Sequence, residues 1–195
     1  MVYNFVVLES NLPGSSSTKN MFLEFIGILA VALAIFLLIQ TFATKAIVDG
    51  SSMEPSLSHG QRILVNKVSY LFSGPDRGDI IVFDPPLSSQ NDYIKRVIGL
   101  PGESVEIKDG TVYIHQADGN IIPLDESYIL DEPVYNYKSG IIPEGYYFVL
   151  GDNRNNSGDS HLGWFVPRKN IVGKAWFSYS PLSDFGFVQN YSFGW

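Results

Sequence analysis

The chain has 195 residues, room for one sizeable domain and an appendage, with 13 Lys and Arg against 20 Asp and Glu. That acidic balance excludes a nucleic-acid surface, which needs clustered basic charge, and the 17% of charged residues, against roughly 25% in a soluble domain, fits a chain partly embedded in a membrane. With no cysteine, thiol catalysis, cysteine-bound zinc and disulfides are excluded, and His59, His115 and His161 lack metal-ligand spacing, so no metal or other cofactor is expected.

Residues 1–20 read as a tail, with Asn11, Pro13, Gly14 and the run Ser15-Ser16-Ser17-Thr18 as turn or disorder formers. Ser16-Ser17-Thr18-Lys19 matches the S-x-x-K pattern of penicillin-binding enzymes, but no S-D-N or K-T-G follows, and a flexible tail holds no catalytic geometry. Phe25 to Phe42 is uncharged and apolar, with Gln40 as its main polar interruption. Its length corresponds to roughly 27 Å of helix, close to the hydrocarbon thickness of a bilayer. One transmembrane helix over residues 21–44 is expected. A buried core helix and a cleaved leader are the competing readings; the run is long for a leader, and Thr44-Lys45-Ala46 is a poor cleavage site. Acidic residues offset the basic ones on both flanks, so flanking charge leaves the orientation open.

From residue 45 to 195 the texture is β. Arg62 to Val68, Asp79 to Phe83, Tyr93 to Ile98, Ser104 to Ile107 and Thr111 to His115 are short runs rich in β-branched and aromatic residues, punctuated by Pro and Gly. Val105 to Ile114 predicts a hairpin turning at Asp109-Gly110. Tyr146 to Leu150 and Ile171 to Tyr179 are later strands. The expected fold is mainly β, antiparallel sheets or a partly closed barrel, with a small β insertion at about 103–145, preceded by the membrane helix. The last twenty residues hold eight aromatics. Their tip, Phe185 to Phe187 and Tyr191 to Trp195, has two readings: an aromatic surface at the lipid interface, or a disordered end.

Three segments carry chemistry. Ser52 sits in Gly50-Ser51-Ser52-Met53-Glu54-Pro55-Ser56-Leu57, a turn-marked stretch just past the apolar run. Lys95 follows about forty residues later in Tyr93-Ile94-Lys95-Arg96-Val97, and Gly151 to Ser160 form the third segment. A serine hydroxyl is a weak nucleophile until a base takes its proton. No G-x-S-x-G surrounds Ser52, which argues against an α/β-hydrolase. His59 lies in a polar turn and reads as solvated. An exposed lysine is neutral in only about one molecule in 2,500 at pH 7, but burial among apolar side chains lowers its pKa toward the roughly 7–8 useful for a base. Tyr93 and Val97 share the strand face of Lys95.

These segments, together with Ile63 to Lys67, Arg77 to Gly102 and the continuation through Phe165-Val166-Pro167, resemble type I signal peptidases, and the resemblance runs from the apolar helix to about Ala175. It implies a membrane-bound serine endopeptidase with Ser52 as nucleophile and Lys95 as general base, which removes signal peptides after Ala-x-Ala. By the same resemblance Ser157 hydrogen-bonds and orients the lysine amine, and Asp152 pairs with Arg96 behind it. Asp159 belongs to a supporting turn network with Asp152, Asn153 and Arg154, and Arg154 has a second reading as a surface charge alone. Val48, Met53, Leu57, Ile63, Val82, Tyr93 and Ile94 match the pocket lining. The oxyanion position falls on Ser52 and Gly50. Where some family members have a donor serine, Gly50 has no side chain, so the second donor must be another main-chain N–H or water. The implied partners are signal-peptide-bearing preproteins and the lipid bilayer. A monomer is expected in the plasma membrane, or a thylakoid membrane, with the catalytic domain on the extracytoplasmic side. A self-cleaving Ser/Lys repressor lacks its helix-turn-helix and basic patch here. A membrane-tethered peptide-binding module is the non-enzyme alternative, against which the retained Ser52, Lys95 and Ser157 speak.

His161 stands where the family often has arginine, so a pairing with Asp159 becomes sensitive to pH around pH 6–7. His161→Arg is expected to leave cleavage intact and to flatten the pH dependence of stability, read as thermal melts from pH 5 to 8.

Overall fold

The structure is a computed structural model and describes residues 16–86 and 91–193. The first fifteen residues of the expected tail, and Gly194 and Trp195 of the aromatic tip, lie outside the described residues. The chain divides into two compact units, residues 1–41 and 42–195.

The first unit is helical. α1 spans Ser16–Phe42. Within it Lys19–Leu37 is long and apolar enough to cross a membrane, with none of that stretch buried. The helix therefore starts before the expected residue 21, and Ser16 to Lys19 form its first turn rather than a flexible tail. Ser and Thr are favoured at helix starts, and the apolar run that follows has only Gly27 as a weak breaker.

The second unit is two antiparallel sheets. The larger is a half-barrel. It is built from β1 (Ala43–Ile47), β2 (Arg62–Asn66), β3 (Ile80–Phe83), β4 (Tyr93–Gly99), β9 (Tyr146–Leu150), β10 (Val166–Pro167), β11 (Ile171–Ser180) and β12 (Gly186–Phe187). Their order is β1-β2-β11-β3-β4-β9-β10, with β12 added to β11. The smaller sheet is the β insertion, in the order β7-β6-β5-β8, from β5 (Ser104–Lys108), β6 (Thr111–His115), β7 (Ile121–Pro123) and β8 (Tyr137–Lys138). The hairpin between β5 and β6 turns at Asp109 and Gly110, which have φ of 50° and 81°. That pair of positive φ values is what an Asp-Gly type I′ turn supplies.

Burial explains the layering. All four residues of β3 are buried, because its two faces serve different cores. Ile80 and Val82 pack with Val48, Met53, Leu57, Ile63 and Val65, while Ile81 and Phe83 pack with Val97, Tyr147 and Val149. Such double burial is why β3 reads as a continuous apolar run rather than an alternation. A third core joins the two sheets through Ile98, Val105, Ile107, Ile114, Phe148 and Leu150. Near the end of the described chain, Tyr191 and Phe193 pack on Tyr128, whereas Phe185 and Phe187 are exposed.

Phe148 has no exposed surface and stacks between Tyr137 and Phe165. Phe148→Ala is expected to lower stability by about 3–5 kcal/mol, measurable by denaturant titration in detergent.

Candidate active site

The loop carrying Ser52 runs from Asp49 to Gly60 between β1 and β2. Its base is zipped by backbone bonds: Val48 N–H donates to the Gln61 carbonyl at 2.9 Å and Gly60 N–H to the Val48 carbonyl at 2.8 Å. Gly50 has φ +90°, a conformation that favours glycine. Beyond Ser52 the chain coils, with Leu57 N–H donating to the Met53 carbonyl at 2.9 Å. Met53 and Leu57 are buried in the first core and anchor the loop from beneath.

Lys95 lies on β4, paired with Ile81 of β3. Its amine is 2.7 Å from Ser52 Oγ and 2.9 Å from the Ile94 carbonyl oxygen, and 5.5 Å from the centre of the Tyr93 ring. Lys95 is only 5% exposed. Burial lowers its pKa to about 8, against an opposing pull from the charges of Asp159 and Asp152. Arg96, the next residue, points to the opposite strand face. It forms a two-point pair with Asp152 at 2.8 and 2.7 Å and donates to the Gly78 carbonyl at 2.8 Å. Both partners are almost completely buried, and the guanidinium lies 4.2 Å from the Tyr128 ring centre.

The segment from Gly151 to Ser160 clamps the Ser52 loop. Asn153 N–H donates to the Ser52 carbonyl at 3.0 Å, Asn153 Nδ2 to the Ser51 carbonyl at 3.2 Å, and Asn156 Nδ2 to Ser51 Oγ at 3.0 Å. A Cβ on Gly151 would sit 2.3 Å from Ser157 Oγ and 2.4 Å from the Ser52 carbonyl oxygen, so only glycine admits this approach. Asp159 is buried and accepts from Gly151 N–H at 2.9 Å and from His161 N–H at 3.2 Å, with His161 Nδ1 at 2.7 Å.

Ser52, Lys95, Val48, Ile63, Val82, Tyr93 and Ile94 line one cavity of about 760 Å³ with residues 45–47 of β1. Met53 and Leu57, expected in the same wall, are not among its lining. Both are core residues, and Leu57 instead borders a second cavity of about 350 Å³ near Tyr128 and Val188. The expected bond between Ser157 and the amine is not formed. Ser157 Oγ is buried without a hydrogen-bond partner, while the amine is engaged by Ser52 and Ile94.

Of the two readings of Arg154, the structure favours the turn network over the surface charge. Arg154 is 1% exposed, paired with Glu126, and donates to the Gly151 carbonyl at 3.0 Å. Its partners lie in the irregular stretch before β8, where no periodicity marks them, so the sequence carried no signal for Glu126 or Tyr128. Gly50, expected at the oxyanion position, donates its N–H to His59 Nδ1 at 3.0 Å. The Ser52 N–H has no acceptor among the described residues. Asn153, expected in a turn network, grips the Ser52 loop as well, and Asn156, which was not singled out, does the same; its place in the third segment was the available signal.

The family described as signal peptidase, peptidase S26, matches residues 22–180. The chain is 46% identical over 178 residues to a probable signal peptidase I-1 of Synechocystis, covering 87% of this chain and 88% of that protein. It is 37% identical over 186 residues to signal peptidase IB of a Staphylococcus aureus strain, covering 88% and 96%. Among solved structures, a signal peptidase I of Enterococcus faecalis is 36% identical with a TM-score of 0.45, covering 51% of this chain and 95% of that one.

Removing Asp152 would strand the Arg96 guanidinium without its counter-ion in a dry site. Asp152→Ala is expected to cost about 3–5 kcal/mol of stability, and Arg96→Met added to it should recover much of the loss. Thermal melts of the two variants check this.

Proposed function

The chain belongs to the signal peptidase family, peptidase S26, whose members are serine endopeptidases, and from that premise we propose that Ser52 is its nucleophile and Lys95 its general base. The 2.7 Å contact between Ser52 Oγ and a buried amine, inside the one cavity that β1 and β4 both border, carries this reading. The distance lies within the roughly 2.6–3.2 Å required for direct proton transfer.

In this mechanism the neutral Lys95 amine takes the Ser52 proton as Oγ attacks the scissile carbonyl. The carbonyl oxygen becomes an oxyanion, and the unengaged Ser52 N–H is positioned to donate to it. The Lys95 ammonium then protonates the departing amine, and the peptide bond breaks to leave an acyl-enzyme. Lys95 next takes a proton from water, the hydroxide adds to the acyl carbon, and Oγ leaves with that proton restored. No cofactor enters the cycle.

Ser157 is proposed to orient the amine. A buried hydroxyl without a partner costs about 1–3 kcal/mol, and a neutral amine that accepts from Ser52 and donates to Ile94 retains one more N–H. Rotation of the Ser157 side chain toward that N–H would satisfy both. Asp152, Arg96 and Asp159 are proposed as structural support for this arrangement.

The substrate is proposed to be an extended signal-peptide segment of an exported preprotein. Among the described residues β1 is an end strand of the large sheet, paired with β2 alone, and residues 45–49 line the cavity. A peptide added along such an edge gains main-chain hydrogen bonds and presents alternate side chains to pockets. Val48, Ile63, Val82, Tyr93 and Ile94 make an apolar wall suited to small side chains, which supports cleavage after Ala-x-Ala. α1 is proposed as the single membrane span, with the β unit on the extracytoplasmic side of the plasma membrane or a thylakoid membrane.

Full-length protein in detergent is expected to cut a preprotein after Ala-x-Ala. Because the amine must be neutral to accept a proton, log(kcat/KM) should rise with unit slope as pH increases and level off near pH 8, where the lowered pKa lies. Lys95→Ala should abolish cutting. Cutting that survives in that variant would place the base elsewhere.

A further inference from the structure

The nucleophile loop is closed by one more rung than its backbone supplies. The Val48–Gln61 and Gly60–Val48 bonds zip its base. One step closer to Ser52, the Gly50 N–H donates to His59 Nδ1 at 3.0 Å across nine residues. Gly50 is followed directly by the Ser51 and Ser52 peptide groups, and its φ of +90° leaves it without the restraint that a side chain would impose. His59 also borders the cavity that holds Ser52 and Lys95.

We propose that neutral His59 is a positioning residue for Ser52: by accepting the Gly50 N–H it fixes the peptide planes between Gly50 and Ser52, and with them the nucleophile and the Ser52 N–H. This inference rests on the Ser/Lys reading of the site and extends it. A nitrogen that accepts carries no proton, so the neutral ring is protonated at Nε2. Protonation of Nδ1 removes the acceptor and turns a hydrogen bond into two donors facing each other. The charged groups around the ring set where the imidazolium would go. Asp49 Oδ1 is 3.6 Å from Nδ1 and offers the charged ring an alternative partner. Lys45 of β1, Asp92 just before β4 and Lys95 of β4 border the same cavity. His59 is a solvated turn residue, as its 67% side-chain exposure indicates, yet its acceptor atom is committed to the loop. Exposure also means that its replacement leaves the cores untouched.

The test compares wild type, His59→Ala and His59→Asn, all full-length in detergent, on one Ala-x-Ala preprotein, with Lys95→Ala as control. Asparagine can place its Oδ1 where Nδ1 stood and does not titrate. At pH 8.5, His59→Ala is expected to lower kcat by about tenfold, the scale of one lost hydrogen bond, with KM within twofold and the melting temperature unchanged. His59→Asn should recover most of that loss. His59→Ala kinetics equal to wild type would overturn the proposal, as would an Asn variant no better than Ala. Cutting that persists in Lys95→Ala would overturn the Ser/Lys reading itself, a separate outcome read from a separate variant.

Discussion

A lysine amine held almost out of water is the constraint around which this molecule is arranged. Burial penalises the ammonium form and brings the pKa down to about 8, although Asp159 and Asp152 both pull the other way. Desolvation is the larger effect, and each acid is also engaged by other groups. Arg96 takes both oxygens of Asp152. Asp159 is shared among Gly151 N–H, His161 N–H and the His161 ring. A free carboxylate in either place would stabilise the ammonium more strongly.

The same logic explains why adjacent residues of β4 do opposite work. Strand alternation sends Lys95 to the cavity and Arg96 to the far face, where a permanent guanidinium is matched by a permanent carboxylate. The segment from Gly151 to Ser160 then serves both faces. Asp152 holds β4 in place, while Gly151, Asn153 and Asn156 grip the Ser52 loop. Ser52 and Lys95, far apart in sequence, are registered against each other through this clamp.

The small β insertion reaches the site indirectly. Tyr128 lies against Arg96, and Glu126 pairs with Arg154, whose guanidinium also binds the Gly151 carbonyl. Asn155 Nδ2 donates to the Glu132 carbonyl at 2.9 Å and its Oδ1 accepts from Val134 N–H at 2.9 Å. The clamp is thus packed from the side away from Ser52, which keeps it rigid without adding groups to the cavity.

Much of this was legible from residues alone. Asp109-Gly110 announced its hairpin because the turn requires positive φ, and the doubly buried β3 announced itself as an apolar run. The Ser52 and Lys95 segments were legible because proton transfer demands particular residue types in particular surroundings. The sequence left Arg154 between a turn network and a surface charge because its partner Glu126 lies in a stretch without periodicity. Met53 and Leu57 were placed in the pocket wall because an apolar residue in a loop does not declare which way it points. By itself, then, the sequence determined the fold class and the apolar helix and singled out the Ser52 and Lys95 segments, whose side chains meet at 2.7 Å, since these follow from local pattern and chemistry. Tertiary structure alone decided how dry the amine is, which acids are already taken and which loop atoms are held, because those depend on groups far apart in the chain meeting across a core.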